Sequence, residues 1–146
     1  MTTLDEAVAL AVDDSGLCVV STVRADGTVQ ASLVNAGAFP HPETGEPTLA
    51  FVTYGRVKLA NLRARPQIAA TFRKGWQWAT VEGVAELAGP DDPRPWLTGD
   101  TLRVLLRDVF TAAGGTHDDW AEYDRVMAEQ GRTLVLIAPT RVYSNG

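Results

Sequence analysis

Residues 17–39 read LCVVSTVRADGTVQASLVNAGAF, and this stretch decides the architecture. Two runs rich in β-branched residues flank Asp26-Gly27, a dipeptide whose glycine supplies the positive φ that tight hairpin turns require. The pattern predicts two antiparallel strands, Leu17–Arg24 and Thr28–Gly37. A sheet begun this way grows by hairpins rather than by helical crossovers.

Working outward, the polar loop PHPETGEP leads to a third strand, Thr48–Thr53, after which Gly55 breaks the chain. A helical pattern follows and stops before Pro66, as the residue ahead of a proline is steered out of the helix. Ile68–Arg73 and Gln77–Ala88 read as strands joined at Lys74-Gly75. In the second, Ala79, Val81, Gly83, Ala85 and Leu87 alternate with Thr80, Glu82, Val84 and Glu86, the period of a sheet with one wetter face. Leu102, Leu105, Leu106, Val109 and Phe110 mark an amphipathic helix stopped by Gly114-Gly115. Thr116 and Asp119 can cap another, with Trp120, Tyr123, Val126 and Met127 on one face. TLVLIAP is the last strand, closed by Pro139, with TRVYSNG trailing. At the other end, Thr3 and Glu6 form a capping box, and Leu4, Ala7, Val8, Ala11 and Val12 keep helical spacing up to Gly16.

Six strands without strand–helix alternation predict a mainly β protein, a small barrel or folded sheet decorated by helices, in a single domain over residues 1–146. Such a barrel has little interior volume. A large ligand is therefore expected on its outside, where a second copy can complete the pocket.

Composition narrows the function. A net charge of −5 argues against a nucleic-acid partner. No run approaches the ~20 apolar residues of a membrane span, and the N-terminal stretch has no basic segment, so a cytoplasmic protein is expected. Cys18, the single cysteine, excludes an internal disulfide and reads as a small buried hydrophobe. His41 and His117 lie far apart with no second cysteine, which gives no metal-ligand spacing. Nucleophile and nucleotide-loop motifs are missing too. An enzyme built on this chain would leave the hard chemistry to a bound cofactor, with no catalytic side chain of its own.

The charge distribution says more than the total. Pro47 to Val81 contains no acid, yet six of the thirteen basic residues lie there: Arg56, Lys58, Arg63, Arg65, Arg73 and Lys74. Arg56 and Lys58 fall in the first turn of the YGRVKLANLRARP helix, where the macrodipole already places about half a positive charge. Free N–H groups plus two cations make a site for a phosphate or carboxylate; the alternative is that both side chains swing into water. Trp76 and Trp78 suit a flat heteroaromatic ligand; the alternative is a core or dimer contact. Gln30, Ser32 and Asn35 add hydrogen-bonding groups near Thr53, the first two on one face and Asn35 on the other unless a bulge intervenes.

Over nearly its whole length the chain resembles the flavin/deazaflavin-binding split-barrel family, that of pyridoxamine 5′-phosphate oxidase. The resemblance lies in VVSTVRADGTVQASLV, FVTYGRVKLANLRARPQIAATFRKGWQWATVEGVAEL, HDDWAEYDRVM and LVLIAPTRVY. It is similar to a branch of small actinobacterial oxidoreductases that use coenzyme F420. The resemblance implies a six-stranded antiparallel split barrel, homodimeric, with a cofactor groove at the interface. It implies F420, with FMN as the alternative cofactor. Arg56 and Lys58 would hold the phosphate-bearing tail, Thr53 and Tyr54 would add strand-end contacts, and Ser32 and Asn35 would line the ring's edge. Trp78, with Trp76 nearby, would reach across the dimer interface, and Arg141 would stand on the substrate side. The implied activity is hydride transfer from F420H2 to a small electron-poor acceptor such as an enone or quinone. The rivals are an FMN enzyme on the same fold and a non-catalytic carrier of either cofactor. The chain is shorter than a true pyridoxamine phosphate oxidase and lacks the longer C-terminal pattern of those enzymes.

Overall fold

In the computed structural model, which describes residues 1–146, the Asp26-Gly27 turn forms as its chemistry requires. Gly27 takes φ +85°, and the Asp26 carboxylate accepts from both the amide and the hydroxyl of Thr28. In chain order the elements are α1 (Leu4–Ala9), β1 (Leu17–Val23), β2 (Val29–Pro40), β3 (Pro47–Thr53), α2 (Arg56–Ala64), β4 (Gln67–Lys74), β5 (Gln77–Ala88), α3 (Gly99–Ala112), α4 (Trp120–Glu129) and β6 (Thr133–Ser144). The six strands close into an antiparallel barrel in the order β1-β2-β3-β6-β5-β4.

Side chains alternate across each strand. Val20, Leu49, Phe51, Phe72, Val81, Val135 and Ile137 fill the interior, joined by Ala7 and Ala11 of the N-terminal segment and by Leu59 and Leu62 of α2. Full burial of a phenylalanine such as Phe51 or Phe72 contributes roughly 1.5–3 kcal/mol. A second cluster lies outside the barrel, where Leu105, Leu106 and Val109 of α3 and Tyr123 of α4 cover Ala50, Leu134 and Leu136 on β3 and β6. Gly37 lets α3 seat there, since a Cβ on it would stand 2.3 Å from the Ala112 carbonyl oxygen.

Two expectations are corrected. The first helix does not carry its spacing through Val12: it ends at Ala9, and a 3₁₀ turn at Val12–Asp14 leads into Ser15 and Gly16, both at positive φ. Val12 is consequently exposed, because the chain must turn to deliver Leu17 to the barrel. The last strand does not close at Pro139. It runs on to Ser144 because a bulge between Glu82 and Gly83 sets Gly83 opposite Pro139, and the shifted ladder resumes at Arg141. The bulge absorbs the missing proline donor.

One feature of the topology builds the site. Val29–Asn35 of β2 pairs with β1, whereas Ala36–Pro40 pairs with β3. Below the Ala36–Phe51 pair, β2 and β3 diverge while β3 stays on β6 as far as Thr53–Thr133. The barrel is split along that line.

Candidate functional site

Helix α2 closes the base of the split, and most of its polar residues serve to hold it there. Asn61 Nδ2 donates to Thr22 Oγ1 at 3.0 Å, and that hydroxyl donates to Gln30 Oε1 at 3.2 Å, a buried relay tying the helix to the β1–β2 hairpin. Arg65 Nε donates to the Val23 carbonyl at 2.8 Å, and Arg63 makes a two-pronged pair with Asp92 at 3.0 and 2.7 Å. The Asn61–Thr22 bond satisfies buried polar groups that would otherwise cost free energy. Together these bonds anchor the C-terminal half of the helix.

Lys58 occupies the first turn of the helix. Gly55 is the N-cap and offers no side-chain acceptor, so the tip carries uncapped amides together with a cation. Lys58 folds back over the tip and is only 6% exposed. Its single hydrogen bond is to Thr53 Oγ1 at 3.4 Å, and the Phe51 ring lies 5.8 Å from its Nζ. Burial is the first cause that lowers its pKa, and repulsion from Arg132 adds to it. No carboxylate pairs with it. The cleft in front, about 290 Å³, is walled by Leu33, Val34 and Asn35 of β2, Val52 and Thr53 of β3, the Tyr54-Gly55 turn, Lys58 and Arg132. A buried ammonium with one weak partner, beside unfilled amides at a positive helix end, is chemically complementary to a phosphate or carboxylate.

The other expected residues fall in different places. Thr53 and Tyr54 line the cleft, Tyr54 half-exposed with the Arg132 guanidinium 3.9 Å from its ring centre. Asn35 lines it too, its Nδ2 donating to the Ser15 carbonyl at 2.8 Å. Ser32 has the parity of the inward-facing Val34 and Ala36, so no bulge brings it to Asn35's face. Its hydroxyl is buried without a partner. Arg56 is exposed and not part of the cleft wall.

Trp76 and Trp78 lie elsewhere, on a broad groove of about 980 Å³ over the outer faces of β1, β4 and β5, beside Leu17, Val19 and Leu33. Trp76 is exposed, and Trp78 packs edge-on against Tyr143 at 6.1 Å. Leu33 borders both groove and cleft, which makes the two contiguous. Arg141 is exposed beside Glu82, 3.9 Å away, on the far strands.

The acid-free run divides in three dimensions. Arg63 meets Asp92 and Lys74 meets Asp13, while Arg65 and Arg73 donate to backbone carbonyls. Arg56 and Lys58 alone have neither. Sequence reasoning missed Arg132, which sits 74 positions beyond Lys58 in the unremarkable EQGRTL. The Thr53–Thr133 register is what brings it beside Tyr54.

Cys18 is buried near Lys58, and desolvation pushes its thiol up to about 12, so it is an inert core residue. No cluster of His, Cys, Asp and Glu forms a metal site, and no helix is long and apolar enough to cross a membrane.

Comparison with known proteins bears on the family and the fold. A family model described as pyridoxamine 5′-phosphate oxidase matches residues 4–146. A conserved hypothetical protein of Mycobacterium tuberculosis superposes with TM-score 0.68 at 18% identity, over 99% of this chain and 84% of that one. A protein described as an F420 reductase superposes at 0.61 with 19% identity, covering 98% of each chain. An FMN-binding protein related to pyridoxamine 5′-phosphate oxidase, from Nostoc punctiforme, gives 0.61 at 15% identity over 99% of this chain and 84% of its own. At these identities the likeness is one of fold.

Proposed function

The chain belongs to the pyridoxamine 5′-phosphate oxidase family, and from that premise we propose an F420H2-dependent oxidoreductase that reduces a small electron-poor acceptor such as an enone or quinone. The observation that carries the proposal is Lys58, a buried cation at the α2 tip without a counter-charge, facing a cleft that the split between β2 and β3 keeps open. The residues fit a phosphate-bearing tail: Lys58 and the first amides of α2 for the anion, with Thr53, Tyr54 and Asn35 along the wall. A bound deazaflavin supplies the hydride.

The chain's own work is binding and orientation. Leu33, Val34 and Val52 give the cleft an apolar wall, and holding two reactants in register can replace much of the entropic part of a bimolecular barrier. The exposed apolar groove of Val19, Leu33, Trp76 and Trp78 supports a homodimer in which a second copy covers that face and closes the adjoining cleft.

A second reading, FMN in place of F420, is favoured by the FMN-binding protein from Nostoc, since a phosphomonoester suits the same cation. Fluorescence titration of one preparation with F420 and with FMN separates the two. Tight F420 binding, followed by oxidation of F420H2 with an enone or quinone panel, is the expected result. Tight FMN binding alone replaces the cofactor, and failure of both refutes the site. F420 binding without turnover on any acceptor leaves a carrier.

A further inference from the structure

We propose that Arg132 is a binding residue of the cleft, and that it and Lys58 together grip one phosphoryl group of the bound cofactor. The inference rests on the phosphate-bearing cofactor proposed above and assigns to it a second cation that the helix motif does not contain.

Arg132 immediately precedes β6 and is separated from α4 only by Gln130 and Gly131. Because Thr133 pairs with Thr53, the next position outward on each strand is Arg132 and Tyr54. That register lays the guanidinium over the Tyr54 ring, 3.9 Å from its centre, at the mouth of the cavity that Lys58 lines from within. The guanidinium makes one polar contact, Nε to Gln130 Oε1 at 2.8 Å, so its two terminal nitrogens are uncommitted. Burial leaves each cation less comfortable than in water and lowers the pKa of both, and the nearby Arg132 charge lowers that of Lys58 further.

A purely structural reading would make Arg132 a rivet on Tyr54, a half-buried cation–π contact of modest strength. That accounts for the stacking. It does not account for two like charges left without an acid in a chain that has eighteen carboxylates to thirteen cations. Elsewhere the same chain spends acids freely on arginines, as at Arg63–Asp92 and Arg107–Asp124. A phosphoryl group resolves both facts, because a planar guanidinium presents paired N–H donors to two of its oxygens and an ammonium can take a third. Tyr54 then has a defined part: it holds the guanidinium in place before the ligand arrives, which lowers the ordering cost of binding.

The test compares each cofactor with its form lacking phosphate: FMN against riboflavin, and F420 against the deazaflavin riboside without its tail. Wild type, Arg132→Gln and Arg132→Lys are titrated by fluorescence. Wild type should prefer the phosphorylated member of at least one pair. Arg132→Gln should reduce that preference roughly ten- to a hundredfold while leaving the riboside affinity unchanged. Arg132→Lys, which keeps the charge but not the fork, should fall between, and it decides the matter should the glutamine variant not fold. If wild type shows the preference and neither variant alters it, Arg132 is no ligand and the clamp is wrong. If wild type shows no preference in either pair, the phosphoryl reading of the cleft fails and the clamp falls with it.

Discussion

Replacing Lys58 with methionine separates a residue kept for binding from one kept for folding. The substitution preserves the aliphatic stem and removes the charge. A cation in the first turn of a helix costs about 0.3–1 kcal/mol when exposed, and up to about 2 kcal/mol when partly buried. Lys58, at 6% exposure, belongs toward the upper end. Loss of the 3.4 Å bond to Thr53 gives back about 0.5 kcal/mol. The Thr53 hydroxyl is not orphaned, as it still accepts from the Gly55 amide at 3.2 Å. The net is a gain of about 1–1.5 kcal/mol in the cofactor-free protein. For a chain of 146 residues that raises Tm by roughly 2–6 °C. Affinity for the phosphorylated cofactor should meanwhile drop roughly ten- to a hundredfold, the loss of one charge-assisted contact. Calorimetry on cofactor-free samples and fluorescence titration on the same preparations give both numbers. The pH dependence supplies a signature. The folded chain releases the Lys58 proton below the ordinary 10.5, so toward that pH the unfolded chain binds more protons and stability rises. Wild type should therefore gain on the methionine variant as pH climbs to 10.5. A variant that melts several degrees lower, with affinity unchanged, would refute the reasoning.

Gly37→Ala drives a Cβ to 2.3 Å from the Ala112 carbonyl oxygen, so it should unseat the end of α3 and lower the stability measured by urea unfolding by about 1–3 kcal/mol. Asp124, held below the usual carboxylate range by its hydrogen bond to Arg107, contributes stability that is complete above about pH 4 and lost as pH falls through its lowered pKa. Asp124→Asn should therefore melt lower than wild type near neutrality and converge with it in acid, as followed by circular dichroism. Leu33→Glu places a charge where groove meets cleft, so sedimentation should show the proposed dimer dissociating while the monomer stays folded; an unchanged mass would place the interface elsewhere.

The barrel was legible wherever local chemistry is self-sufficient. The Asp26-Gly27 turn, the Thr3–Glu6 capping box and the Asp119 cap each satisfy their own backbone groups within a few residues, and each forms as read. The last strand was misjudged because Pro139 looks terminal alone and is tolerated only because Thr140 bulges out of the ladder opposite a glycine, Gly83, that lies 56 positions earlier. Lys58 stood out because a cation at a helix start contradicts the dipole, an anomaly visible in sequence. Arg132 contradicts nothing locally. Its meaning comes from the strand register, which no spacing within EQGRTL encodes. Most of NLRARP, which stands out in the primary structure beside the two first-turn cations, proved to be the anchorage of the helix: Asn61 on Thr22, Arg63 on Asp92, Arg65 on Val23.

The parting of β2 from β3 has a cost that the ligand can relieve. Closed barrels escape the hazards of strand edges because every rung of the ladder is occupied, yet here β2 below Ala36 and β3 beyond Phe51 lack each other. This gap is the natural place for the wall to breathe, and amide protons along it should exchange ahead of those on the β5–β6 side. A guest wedged into the gap would act as a missing rung. Its residence should then be felt as slower exchange around the whole circumference, well beyond the atoms it touches.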